Sequence, residues 1–288
     1  MFPLLSLLFS LAAHVHPEMV VSTEWLAANI RNPNVRVLDV GTLEEYKQGH
    51  IAGAVFLDVK RLMVRRGGVP NELPSVAELE ELFRDAGVRG NDRLILTSND
   101  PLLAARAYFT LDHLGWGAHA AMLDGGNAKW AAERHAVNRV IVPAKRSDFT
   151  AFVDRSAIIS RDRLKTLIAS GDPVVLLDAR DPQHFLGHLK GLEIDRAGHI
   201  PDADCFPAMS NLTKSGNVRV LRNPDQLQQM YASLNVTSAD QRIIVYCRTG
   251  VEASMNYFVL RYLGFRPTLY DGSFVEWNKS EPVASGGQ

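Results

Sequence analysis

Cysteine is scarce: Cys205 and Cys247 are the only two in 288 residues, so no disulfide framework holds this chain together. Net charge is lacking as well. With 31 Lys and Arg against 32 Asp and Glu the chain carries −1 at neutral pH, which gives no general electrostatic attraction to nucleic acid or to an anionic membrane surface. Long apolar runs are missing too. The run at residues 2–13 falls short of the roughly 20 residues a membrane-crossing helix needs, so no stable membrane insertion is expected. What remains, 46% hydrophobic and 22% charged residues with 14 prolines, excludes a disordered, collagen-like or coiled-coil chain. A length near twice the common domain size of about 150 residues predicts two domains or one large one.

Residues 2–13 do have the length of the apolar part of a secretory signal, and Ser10, Ala12 and Ala13 offer small residues at a cleavage point. The usual basic start is missing, because the first Lys or Arg is Arg31. Two readings stay open. Residues 1–18 are a possible signal peptide, cut near residue 16 and directing export to the periplasm, or translation starts near Met19 and the chain stays in the cytoplasm.

The chain repeats itself. The apolar run ending in Asp39 is echoed by the run ending in Asp178, and Gly49-His50-Ile51 by Gly198-His199-Ile200. Residues 94–98, closing on Ser98, are echoed by residues 243–247, closing on Cys247; Asp124-Gly125-Gly126 with Trp130 is echoed by Asp271-Gly272-Ser273 with Trp277. Order and spacing are kept except for a longer stretch between Asp178 and His199. Two copies of one domain are therefore expected, at residues 19–140 and 158–283, with a polar linker at 141–157 and a tail at 284–288. Within each copy, short β-branched runs alternate with helical patterns. Ser22, Ser75 and Ser160 stand where helix caps belong, Pro224 suits a first turn, and Val251, Met255, Phe258, Val259 and Tyr262 recur at helical spacing up to Gly264. This alternation predicts an α/β fold, a parallel sheet with helices on both faces in each copy and sites at the carboxyl ends of the strands.

Residues 243–254 carry the chemistry. An apolar strand delivers Cys247 to its end, Gly250 lies in the short loop that follows, and a helix begins at once. Backbone N–H groups converging at a helix N-terminus stabilise an anion, so the loop is expected to lower the thiol pKa or to hold negative charge on a sulfur attached to it. Arg248 adds a cation suited to an anionic substrate. The first copy has Ser98 at the matching position, followed by Asn99-Asp100-Pro101, with no thiol, no glycine, an acid in the loop and a proline that removes a donor. It is expected to be structural or to form one wall of a cleft between the domains.

The paired Gly-His-Ile motifs, Asp178-Ala179-Arg180, the loop Cys247-Arg248-Thr249-Gly250-Val251, and residues 270–277 together resemble the tandem-domain rhodaneses, the thiosulfate and 3-mercaptopyruvate sulfurtransferases. The resemblance covers about residues 20–280. It implies two tandem rhodanese-like domains with the nucleophile in the second, and a ping-pong reaction in which Cys247 takes the outer sulfur of thiosulfate as a persulfide and passes it to cyanide or a thiol. It further implies that the amides of Arg248, Thr249, Gly250 and Val251 hold the persulfide, that Arg180 and His184 help bind a small anionic sulfur donor, and that neither metal nor organic cofactor is required. Thiosulfate users of the family tend to have basic residues after the cysteine and mercaptopyruvate users Gly-Ser, so Arg248-Thr249 favours thiosulfate. Two residues depart from the pattern. Glu252 stands where a small residue is usual and its charge opposes a second anion near Cys247, and His184 stands where thiosulfate users have an arginine, so activity is expected to be reduced or pH-dependent. A weakly active persulfide carrier is a further alternative.

Phosphatases of related fold need an arginine six residues after the cysteine, and Ala253 occupies that place. Cys205 reads as a structural thiol rather than a redox partner, His50 and His199 as turn-holding residues common to both copies, and His184 with His188 as loop residues rather than metal ligands. Lys190 and Arg196, in the longer stretch of the second copy, read equally as anion attractors or as surface charges.

Overall fold

The computed structural model describes residues 14–286; the run at residues 2–13, and the signal-peptide expectation with it, lies outside them. Strands β1 (Val20–Val21), β2 (Val35–Gly41), β3 (Val55–Asp58), β4 (Arg93–Thr97) and β5 (Ala120–Leu123) form a parallel sheet in the order β1-β5-β4-β2-β3. Strands β6 (Ile158–Ile159), β7 (Val175–Asp178), β8 (Asp204–Cys205), β9 (Ile243–Tyr246) and β10 (Pro267–Tyr270) form a second, in the order β6-β10-β9-β7-β8. The two permutations are the same, so the repeat in the sequence is a repeat of topology. Ser98 and Cys247 each follow the central strand of their sheet.

Strand alternation decides which side of the sheet carries the thiol. Ile244 and Tyr246 of β9 join a core with Leu164, Phe274 and Trp277, under the helices Arg161–Ser170 and Ser273–Ser280. Ile243, Val245 and Cys247 face the other way, into a core shared with Leu94 and Leu96 of the first domain. Cys247 therefore lies on the side where the domains meet, and both sheets carry helices on both faces, as expected.

Two helices cross at that meeting: α1 (Pro101–His113), which follows β4, and α2 (Val251–Tyr262), which follows the Cys247 loop. Tyr108 meets Phe258 and Phe109 meets Tyr257 edge to face, each pair at 4.9 Å, and such pairs contribute about 0.5–1.5 kcal/mol beyond the area they bury. The Tyr257 hydroxyl donates to Asp112 at 2.7 Å. Ser22, Ser75 and Ser160 cap their helices, and Pro224 opens the helix Pro224–Ala232. The segment at 141–157 is laid onto the first domain, with Phe149 buried and the Trp116 indole donating to the Thr150 carbonyl at 2.9 Å. Among the described residues no helix is long and apolar enough to cross a membrane.

Candidate functional site

The four residues of β9 are all buried, and the strand ends by pushing Cys247 into the core, where its exposure is 0%. The loop turns at Gly250, whose φ of +87° lies in the left-handed region that glycine enters without strain. That turn aims the Gly250 N–H at the Cys247 sulfur, 3.1 Å away. The backbone around the thiol is held from the opposite side by the start of the helix Ser273–Ser280: the Cys247 N–H donates to the Ser273 hydroxyl at 3.2 Å, and the Phe274 N–H donates to the Cys247 carbonyl at 2.9 Å.

The expectation of a lowered thiol pKa is overturned. Burial first and the Glu252 carboxylate second push Cys247 up to about 12, against the amides of Ala253 and Thr249, which oppose this only in part. The loop does supply donors, but removing the sulfur from water outweighs them. Glu252, in the first turn of α2, has its own pKa raised by burial and then by Asp178.

Arg180 requires a second correction. It was expected to bind substrate, yet its guanidinium is taken up by Asp178 at 2.5 Å and the Gly198 carbonyl at 2.7 Å, and it lies 4.2 Å over the Phe274 ring. A cation so fully paired and buried braces the strand end instead of receiving an anion. Arg196 likewise spends its guanidinium on the Asn278 and Glu281 carbonyls, so it braces a loop and does not attract anions. Arg248 and His184 are better placed. They flank Gly191, where an added Cβ would lie 3.2 Å from the Arg248 side chain and 3.6 Å from the His184 ring. His184 also meets Asp181 at 2.5 Å.

Both motif histidines hold turns, as expected: His50 bonds the Tyr46 carbonyl at 2.7 Å and His199 the Phe185 carbonyl at 2.8 Å, each stacked on that same aromatic ring. Cys205 is unpaired, and burial pushes its thiol up to about 12. Among the described residues no group of three or more His, Cys, Asp or Glu is placed to hold a metal ion.

Three residues that sequence reasoning passed over complete the loop, and two come from the first domain. Asn71, in the hairpin formed by Val64–Arg66 and Val69–Glu72, donates to the Thr249 hydroxyl at 3.0 Å. Arg106, fully buried in α1, donates to Asp271 at 2.7 Å and to the Asn71 carbonyl at 2.7 Å. Asp271 also accepts from the Leu73 N–H at 2.7 Å; in the sequence it reads only as a turn residue. The available signal was the repeat itself, since Arg106 aligns with Met255 and a charge therefore stands where the other copy is apolar.

The first domain's loop is walled in by the reciprocal hairpin, formed by Leu212–Ser215 and Val218–Leu221, whose Leu221 N–H donates to Asp124 at 2.8 Å. Here a cavity of about 470 Å³ opens between the domains, lined by Ser98, Asp100, Asp124, Arg219, Met255 and Phe258 among others. The cleft between domains expected beside the first copy exists, and no residue of the Cys247 loop lines it.

Comparison with known proteins matches this architecture. The sequence profile described as a rhodanese-like domain fits residues 22–133 and again 160–280. The chain is 34% identical to a probable 3-mercaptopyruvate sulfurtransferase of Pseudomonas aeruginosa, over 93% of its own length and 98% of the relative's. It is 28% identical to a thiosulfate sulfurtransferase of the same organism, over 90% and 93%. The crystal structure of SseA from Escherichia coli, described as showing the rhodanese fold of 3-mercaptopyruvate sulfotransferases, superimposes with a TM-score of 0.76 at 29% identity, over 88% of this chain and 98% of that one.

Proposed function

The chain belongs to the rhodanese family, with the domain present twice, and from that premise we propose that it is a sulfurtransferase that takes the outer sulfur of thiosulfate onto Cys247. The observation that carries this reading is the Gly250 N–H directed at the buried sulfur at 3.1 Å, at the start of a helix. The thiolate attacks the sulfane sulfur, the S–S bond of thiosulfate breaks and sulfite leaves with the bonding pair. The product is a persulfide anion on Cys247. Cyanide or a thiolate then attacks the outer sulfur, the thiolate of Cys247 departs, and thiocyanate or a new persulfide is released. The loop amides and the dipole of α2 stabilise the negative charge that stays on sulfur through both steps. Arg248, with His184 across Gly191, supplies the cationic mouth for the donor.

A second reading, 3-mercaptopyruvate as donor, is favoured by the similarity to the probable 3-mercaptopyruvate sulfurtransferase; against it, the two positions after the cysteine hold Arg248 and Thr249 and neither Gly nor Ser. Thiocyanate formation with each donor, in wild type and Cys247→Ser, separates the two. Faster turnover with thiosulfate, abolished in the variant, is expected. Preference for mercaptopyruvate would select the second reading, and turnover with neither donor would leave a persulfide carrier. Residues 2–13 support export to the periplasm, which the mass of the mature chain tests: a product starting near residue 17 is expected, and retention of residues 1–16 would contradict it.

A further inference from the structure

We infer that Arg106, on the domain that lacks the nucleophile, is a positioning residue for the Cys247 loop, so that the catalytic site is built by both domains. The inference rests on the reading of Cys247 as the nucleophile. Its geometry is a relay of contacts. Gly250 holds its N–H on the sulfur, and behind Gly250 a Cβ would meet the Asp271 carboxylate at 2.6 Å and Arg106 Nη1 at 3.2 Å. The ion pair therefore forms the floor on which the loop turns. The other end of the guanidinium holds the Asn71 carbonyl, and the Asn71 side chain reaches Thr249. One buried cation thus fixes two of the three residues between Cys247 and α2.

Stability alone does not account for this arginine. It is wholly buried, its Nε has no partner, and a buried ion pair offers little net stabilisation over apolar residues of the same size. The other copy makes the same helix crossing with Met255. What the first copy gains by keeping Arg106 is delivered across the interface, to the loop that carries the thiol. The loop facing Met255 has no thiol to hold in place.

The test compares wild type with Arg106→Met, which copies the other domain, and with Arg106→Met/Asp271→Asn, which removes both charges so that no bare carboxylate is left buried. Thiosulfate kinetics should show kcat falling about 100-fold, the scale of loss when a reacting group is misplaced by about 1 Å, with KM changing less than about threefold because Arg248 and His184 are untouched. Alkylation of Cys247 by iodoacetamide at fixed pH should slow about tenfold as the Gly250 N–H drifts from the sulfur. Arg106→Lys, which keeps the charge on Asp271 but cannot fork to Asn71, should recover part of both. Alkylation needs no sulfur donor, so it reports on Arg106 even if thiosulfate is not the substrate; Cys247→Ser is the blank. Asn71→Gly, which keeps the left-handed backbone at φ +63° and removes the Thr249 contact, should lower kcat about threefold and does not disturb the buried pair. A double variant that melts cooperatively and retains wild-type kcat and alkylation rate would overturn the assignment. So would a double variant that does not fold, if Asn71→Gly also leaves both rates unchanged.

Discussion

At the end of β9 the chain reads Cys247-Arg248-Thr249-Gly250-Val251, and at the end of β4 it reads Ser98-Asn99-Asp100-Pro101-Leu102. The strands, the helices that follow and the hairpins that cover them correspond one to one, yet the side chains that would do chemistry do not. Gly250 is replaced by a proline with no N–H to offer. Beneath the loop, Asp271 has Arg106 as its partner, whereas its counterpart Asp124 faces Met255 and a cavity, and burial raises its pKa. On the neighbouring strand of each sheet, Asp178 of β7 is paired with Arg180 over Phe274, while Asp39 of β2 is followed two residues on by Gly41 and is bonded by Asn127, which stands at the place of Phe274. The two copies share the frame, and among the described residues Asp178 and Asp271 carry ion pairs that Asp39 and Asp124 do not. The active loop is therefore distinguished less by its backbone than by the number of its buried charges that are matched.

This contrast can be broken most forcefully at the two strand-end aspartates. Asp178→Asn leaves the Arg180 cation buried without its counter-charge and should destabilise the protein by about 3–5 kcal/mol in denaturant unfolding. Asp39→Asn should do the opposite at neutral pH, because Asp39 is a nearly buried carboxyl whose pKa burial pushes up to about 6 from 3.8. A raised folded pKa means that the unfolded chain releases the proton first, so this group's contribution is present in full below about pH 4 and is lost as pH rises to 6, amounting to about 3 kcal/mol. Stability of the wild type measured from pH 4 to 7 should carry that decline, and the Asp39→Asn protein should lack it. Equal losses in the two variants would mean that the two aspartates are equivalent after all.

A smaller effect is expected beside the thiol. Glu252 is the charge that raises the Cys247 pKa after burial itself, so Glu252→Gln should speed alkylation of Cys247 at pH 8, by about tenfold for each unit that the thiol pKa falls. In the wild type the same rate should climb about tenfold per pH unit from 7 to 10, because the thiolate fraction does. A flat profile would show that the unloaded thiol is already ionised. The smallest effect is a null one: Ser98→Cys in the Cys247→Ser background should form no thiocyanate, since Pro101 has no N–H where Gly250 supplies one and Asp100 puts a carboxylate in that loop. Restored turnover would mean that the thiol alone separates the copies.

Much of this was legible in the sequence because it lies in local patterns. Four ordered echoes gave the duplicated α/β fold, serines ahead of helical spacing gave the caps, and a strand, cysteine, glycine and helix in succession gave the Cys247 loop. The residues that escaped act across the domain interface. Nothing near Arg106 or Asn71 in the chain marks them as neighbours of Gly250 and Thr249, which lie 144 and 178 positions away respectively. Arg180 was misread for the opposite reason: its proximity to the site is real, but whether a cation is free depends on what pairs with it, and Asp178 two residues earlier takes it. The thiol pKa was missed because a linear sequence displays the donors of the loop and conceals the depth of its burial.

The central claim is that Cys247 alone receives the transferred sulfur, and intact mass before and after brief exposure to thiosulfate tests it most directly. A gain of one sulfur atom is expected in the wild type, reversed by cyanide, located on the peptide containing Cys247 and absent in Cys247→Ser. A gain that persists in Cys247→Ser, or that maps to Cys205, would contradict it.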